Sequence, residues 1–102
     1  MSMEALEASR KLTPIALSLF PGSDVYMFGS QAKGCAAEAS DIDFAVLLPA
    51  DVRMEPRERF DKAVKLSIAA ARIDLRIEPV VRRADDRTGF VHSVVTTGIK
   101  LS

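Results

Sequence analysis

The sequence predicts an α/β fold of the α+β kind, a small mixed β-sheet with helices packed against it. Three observations carry that expectation. The chain has 102 residues, enough for one domain and too few for two. Its apolar positions switch between the helical period and a period of two, in the order helix, strand, loop, strand, helix, strand, helix. Hydrophobic residues make up 48% of the chain, so a core can form. The expected organisation is one domain over residues 1–102.

From Met3 to Phe20, the residues Leu12, Ile15, Ala16 and Leu19 fall at helical spacing. Pro14 has two readings, the first position of a fresh helix capped by Thr13 or a bend within one, and helix is expected on both sides. Pro21-Gly22-Ser23 stops it, and Asp24 to Phe28 reads as a short strand. Gly29 to Ser40 is small and polar, with one helical turn at Gln31-Ala32-Lys33 closed by Gly34. Asp41 to Leu48 is a strand whose later half, Phe44 to Leu48, is continuously apolar, as when both faces are covered.

Pro49 ends that strand, and Pro56 opens a helix in which Phe60, Ala63, Val64, Ser67, Ile68 and Ala71 repeat against a charged opposite face. Arg72 to Val81 alternates Ile73, Leu75 and Ile77 with Asp74, Arg76 and Glu78, a strand with two unlike faces and Pro79 at or near its end. Arg82 to Thr88 is a charged connection whose minority reading is a rim to a nucleotide site. Phe90, Val91, Val94 and Val95 suggest a short helix against their β-branched character. Gly98 breaks it, and Ile99 to Leu101 can add a last strand.

Charge and cysteine content exclude several classes. Fourteen basic residues balance fourteen acidic ones, which does not describe a nucleic-acid platform or a membrane-seeking surface. The balance hides an acidic first half and a basic second half, suited to metal and to phosphate respectively. The lone Cys35 forms no internal disulfide and reads as an incidental loop thiol, so a reducing cytoplasm is the expected compartment. Met1 to Leu12 lacks the apolar stretch of a signal peptide, and no run is long enough to span a bilayer.

The chemistry concentrates in Gly29-Ser30-Gln31-Ala32-Lys33-Gly34 followed by Ser40-Asp41-Ile42-Asp43. Two aspartates two apart at a strand start project from one face, with Cα atoms roughly 6.7 Å apart. They repel unless a cation lies between them, and magnesium, which takes hard oxygen ligands alongside substrate phosphates, is the natural candidate. Asp74 supplies a third carboxylate from another expected strand, which makes a two-metal site possible. Glu78, four residues on along the same face, is the alternative third ligand. Gly29 and Gly34 allow close backbone approach to phosphate, and Ser30 can donate to it or cap a helix turn.

On these residues the chain resembles the minimal nucleotidyltransferases (MNT) of the DNA polymerase beta-type nucleotidyltransferase superfamily. The resemblance runs over nearly the whole chain. It implies that Gly29 and Ser30 bind the triphosphate of ATP, that Asp41 and Asp43 coordinate two magnesium ions, and that Asp74 completes a metal site and helps activate the acceptor hydroxyl. Lys33 stands where the family more often has arginine, which keeps the charge and loses the planar fork; it touches phosphate or makes a structural contact.

The implied reaction transfers AMP from ATP to a protein hydroxyl. Free-standing domains of this length resemble antitoxins that adenylylate a helical HEPN-type ribonuclease toxin, so such a partner is expected, with homo- or hetero-oligomers possible and no direct nucleic-acid or membrane binding. Two alternatives stand beside it. The fold could neutralise a toxin by occlusion without catalysis, or it could modify a small antibiotic, for which the chain has no helical drug-holding domain. Tyr26 is expected to pack within its strand and His92 to serve structurally at or near the surface.

Overall fold

A computed structural model describes residues 3–34 and 40–102. Its elements are α1 (Met3–Leu19), β1 (Asp24–Phe28), α2 (Gly29–Lys33), β2 (Ile42–Leu48), α3 (Pro56–Ile73), β3 (Ile77–Arg83), α4 (Phe90–Thr97) and β4 (Ile99–Lys100). The strands form one mixed sheet in the order β3-β2-β1-β4. β1 and β2 pair antiparallel, with Phe28 opposite Asp43, and β2 and β3 pair parallel, with Asp43 opposite Glu78. No helix among the described residues is long and apolar enough to cross a membrane.

Strand alternation divides the sheet into two faces. Val25, Met27, Ile42, Phe44, Val46 and Leu48 turn to one side, where Leu12 and Ala16 of α1 and Leu66 and Ala70 of α3 complete the main core. Phe20, Phe44, Leu12 and Met27 are among its largest fully buried side chains, each contributing about 1.5–3 kcal/mol by leaving water. Tyr26, Ala45 and Leu47 turn to the other side, where α4 packs through Val94 with Phe28, Phe90 and Val91 around it. Tyr26 is thus a packing residue, as expected. Asp43 alternates with Ile42 and Phe44, so it belongs to this second side.

Three local expectations are revised. Helix α1 runs unbroken through Pro14, with Thr13 inside it rather than capping it; the Thr13 hydroxyl donates to the Ser9 carbonyl at 2.9 Å. Its buried line is Ala5, Ala8, Leu12 and Ala16, while Ile15 is partly exposed. In α3 the apolar stripe is turned outward: Leu66 and Ala70 are buried, whereas Phe60, Val64 and Ile68 are exposed. The small side chains Ala5, Ala8 and Ala70 let α1 and α3 pack through a narrow seam, and the broader stripe is left over.

The third revision moves the start of β3. Arg72 and Ile73 continue α3, because the preceding Ala69-Ala70-Ala71 run favours helix over the alternation that follows. Asp74 is the C-cap, Leu75 and Arg76 make the turn, and the strand begins at Ile77 and extends to Arg83. Pro79 lies inside this strand, which the sheet tolerates because β3 is an edge. Beyond α4, Gly98 lies against backbone: a Cβ there would meet the Val94 carbonyl oxygen at 2.5 Å and that of Met27 at 3.0 Å. That close approach is what ends the helix and delivers β4 to β1.

Candidate active site

The β1–α2–β2 path folds back so that the glycine-serine turn meets the acids. Phe28, the last residue of β1, pairs with Asp43, and Gly29 follows at a φ of +74°. A Cβ on Gly29 would overlap Asp43 Oδ2 and stand 3.2 Å from its Cγ, so only a glycine lets the backbone pass against this carboxylate. Gln31 is buried at 2% exposure and its Nε2 donates to the Ser40 carbonyl at 3.3 Å, tying α2 to the residue before Asp41. Gly34 closes α2 in the left-handed conformation.

The acids come from β2 and β3. The Ile42 amide donates to the Arg76 carbonyl at 2.8 Å, which fixes the start of β2 beside that of β3. Asp43 and Glu78 are then direct neighbours in a parallel pair, with their side chains on the same side. Burial, and then the charge of Asp41, push the Asp43 carboxyl above the usual carboxylate range. Glu78 is raised too, first by the charge of Asp41, then by desolvation and by Asp43.

Asp74 is not part of this group. Its Oδ1 accepts from the Arg76 amide at 2.9 Å and from Nε at 3.1 Å, and its Oδ2 pairs with the same guanidinium at 2.7 Å. These bonds hold the Asp74 carboxyl below its ordinary range. The expectation that Asp74 brings a third carboxylate from a second strand is corrected in its placement: the helix extends to Ile73, Asp74 caps it and shapes the turn, and Glu78 is the strand acid opposite Asp43. The signal for Glu78 was present in the alternation of Arg76 and Glu78, and the strand boundary decided between them.

Of the other candidates, Ser30 is exposed at the start of α2 and Lys33 on its final turn. His92 is exposed on α4, and Cys35 lies outside the described residues. Arg82, expected in the charged connection, lies in β3. Its Cζ lies 5.4 Å from the Phe90 ring centroid, and Phe90 stacks edge-on to Phe28 with centroids 5.4 Å apart. A cation is therefore held on the same side of the sheet as Asp43 and Glu78.

The donor set fits magnesium. It consists of hard oxygens, it repels itself without a cation, and Gly29 keeps clear the space at Asp43 that a Cβ would fill. Among the described residues no group of three or more His, Cys, Asp or Glu side chains is placed to hold a metal ion as it stands. Asp41, Asp43 and Glu78 share one electrostatic field and open to solvent, where a polyphosphate could supply the remaining ligands. Gly29→Ala should cost about 1 kcal/mol of stability from the positive φ and displace the Asp43 carboxylate. Circular-dichroism melting reads the first effect, and loss of magnesium-dependent ATP binding reads the second.

Comparison with known proteins bears on the family and the fold. The family model described as nucleotidyltransferase domain matches residues 9–95. No curated protein matches the chain in sequence. Among solved structures, a toxin–antitoxin crystallised with AMP-PNP has a TM-score of 0.64 at 28% identity, over 92% of this chain and 72% of the other. A tri-AMPylated HEPN toxin from Shewanella oneidensis in complex with its MNT antitoxin has a TM-score of 0.62 at 25% identity, over 96% and 71%. The toxin–antitoxin MntA-HepT has a TM-score of 0.60 at 26% identity, over 94% and 70%.

Proposed function

From a chain that belongs to the nucleotidyltransferase domain family, we propose a magnesium-dependent enzyme that moves AMP from ATP to a hydroxyl of a protein partner. The observation that carries the reading is the placement of Asp43 opposite Glu78, with Asp41 in the same field and Gly29 pressed against Asp43. Asp41, Asp43 and Glu78 would hold the metal, one ion or two. When bound, magnesium supplies charge neutralisation for the transferring phosphoryl group. Ser30 and the Gly29 backbone receive the triphosphate.

In the transfer, the acceptor oxygen forms a bond to the α-phosphorus while the bond from that phosphorus to the bridging oxygen breaks, and pyrophosphate leaves with the bonding pair. The acceptor proton passes to a carboxylate of the group. Glu78 suits this role because Asp41 raises its proton affinity. No residue needs to form a covalent intermediate; the chain positions reactants and balances charge.

The neighbours support the partner class, one an AMPylated HEPN toxin in complex with an MNT antitoxin and one a toxin–antitoxin with AMP-PNP. In this reading the chain is the antitoxin of a cytoplasmic pair and its acceptor is a small helical toxin. Incubation with α-labelled ATP, magnesium and the co-purified partner should place label on the partner and add adenylyl increments to its mass. Asp41→Asn with Asp43→Asn should stop the labelling. Neutralisation that survives both substitutions without label would instead support occlusion.

A further inference from the structure

Among the described residues the buried polar side chains are Ser9, Thr13, Ser23 and Gln31. Three carry a single hydroxyl, whereas Gln31 carries a primary amide with donors and an acceptor oxygen, and burying such a group costs free energy that its hydrogen bonds must offset. Its place in the chain makes the burial informative. Helix α2 is five residues long, has no side-chain cap at Phe28 and exposes Ser30 and Lys33, so it has little stability of its own. Gln31 is its one buried residue. The amide Nε2 donates to the Ser40 carbonyl at 3.3 Å, nine residues on.

That carbonyl belongs to the residue before Asp41. Asp43 and Glu78 are held in paired strands, whereas Asp41 is exposed and lies just outside β2, which starts at Ile42. Two bonds bracket its backbone. Gln31 holds the Ser40 carbonyl on one side, and on the other the Ile42 amide donates to the Arg76 carbonyl at 2.8 Å. The bracket works against a definite force: the charge of Asp41 bears on both Asp43 and Glu78, and like charges drive outward the one acid that no strand holds. Of the two bonds, the one from Gln31 reaches Asp41 from the glycine-serine turn.

We propose that Gln31 is a positioning residue that keeps Asp41 within reach of Asp43 and Glu78, acting through the Ser40–Asp41 peptide. Buried as it is, it touches neither ion nor nucleotide. Its removal leaves Asp43 and Glu78 where the strand pairing puts them and frees Asp41 alone. The inference rests on the reading of Asp41, Asp43 and Glu78 as one metal site.

Gln31→Met tests this, because it keeps the length and nearly the volume of the side chain while removing the donor. Titration of the whole protein with Mn²⁺, followed by electron paramagnetic resonance, should show the variant binding about tenfold more weakly than wild type, the loss typical of a group that orients a metal ligand. The same substitution made in Asp41→Asn should leave Mn²⁺ affinity within about twofold of Asp41→Asn alone, since the ligand that Gln31 positions is already lost. A general loosening of the fold would weaken both backgrounds equally. Wild-type affinity in Gln31→Met, or the full loss repeated on top of Asp41→Asn, overturns the proposal. A second measurement needs no substitution: the Gln31 side-chain amide protons of the wild type should exchange with solvent about tenfold more slowly than those of free glutamine, and exchange at the free rate overturns it too. Wild-type protein that binds no Mn²⁺ instead refutes the acid site itself, and this inference with it.

Discussion

Asp43→Asn is expected to lower nucleotidyl transfer about 10³-fold, roughly 4 kcal/mol of transition-state stabilisation at 1.36 kcal/mol per decade. Asp43 sits between the other elements of the site, paired with Phe28 on one side and Glu78 on the other and in contact range of Gly29. Losing its charge removes a central oxygen donor. The same substitution should not unfold the protein. A carboxyl whose folded pKa is raised contributes stability below its unfolded value and loses it as pH rises through the folded one. At neutral pH the ionised Asp43 is therefore a cost, and asparagine should raise the Tm measured without metal. Magnesium with an ATP analogue should then stabilise the wild type far more than the variant.

The second large effect separates two acids that stand four positions apart. Glu78→Gln is expected to reduce transfer about 10²-fold, near 2.7 kcal/mol, whereas Asp74→Asn should leave it within about threefold. Asp74 should instead show its role in stability, at about 1 kcal/mol for bonds to a charged partner that remains partly solvated. The pH dependence has a fixed sign. The Asp74 pKa is depressed in the fold, so its contribution is present above the unfolded value of 3.8 and disappears as pH falls through the lower folded value. Denaturant melts of Asp74→Asn and wild type should thus differ at pH 7 and converge in strong acid, while initial rates of both are compared at pH 7.

What the sequence made legible is local. Phe28-Gly29-Ser30 and Ser40-Asp41-Ile42-Asp43 flank a short connection, and an antiparallel pair across it brings them together with little freedom of register. β1 and β2 were accordingly readable to within a residue, and α2 to within two. The third acid depended on where α3 stops and how β3 aligns with β2, a pairing more than thirty residues apart in the chain. Ile73, Leu75 and Ile77 alternate as a strand would, yet Ile73 ends a helix and Leu75 is exposed in a turn. Asp74 and Glu78 exchange roles as a result.

The outward stripe of α3 was unreadable for a related reason. Periodicity identifies an apolar face without saying which neighbour covers it. Phe60, Val64 and Ile68 form the stronger pattern, but the helix turns Leu66 and Ala70 inward because the alanines of α1 admit close packing there. Arg82 was readable only as part of a charged connection, because its place in β3 and its position over Phe90 depend on the sheet register and on α4 returning across the sheet.

The central claim is that Asp41, Asp43 and Glu78, beside the Gly29–Ser30 turn, form one site for a divalent ion and a triphosphate. Its most direct test is paramagnetic broadening of the amide spectrum by substoichiometric Mn²⁺ in the presence of a non-hydrolysable ATP analogue. Signals of Gly29, Ser30, Asp41, Asp43 and Glu78 should disappear first, with Asp74 and Leu75 retained and the effect abolished in Asp43→Asn. Broadening centred on Asp74, or spread evenly over the acidic surface, would contradict the account.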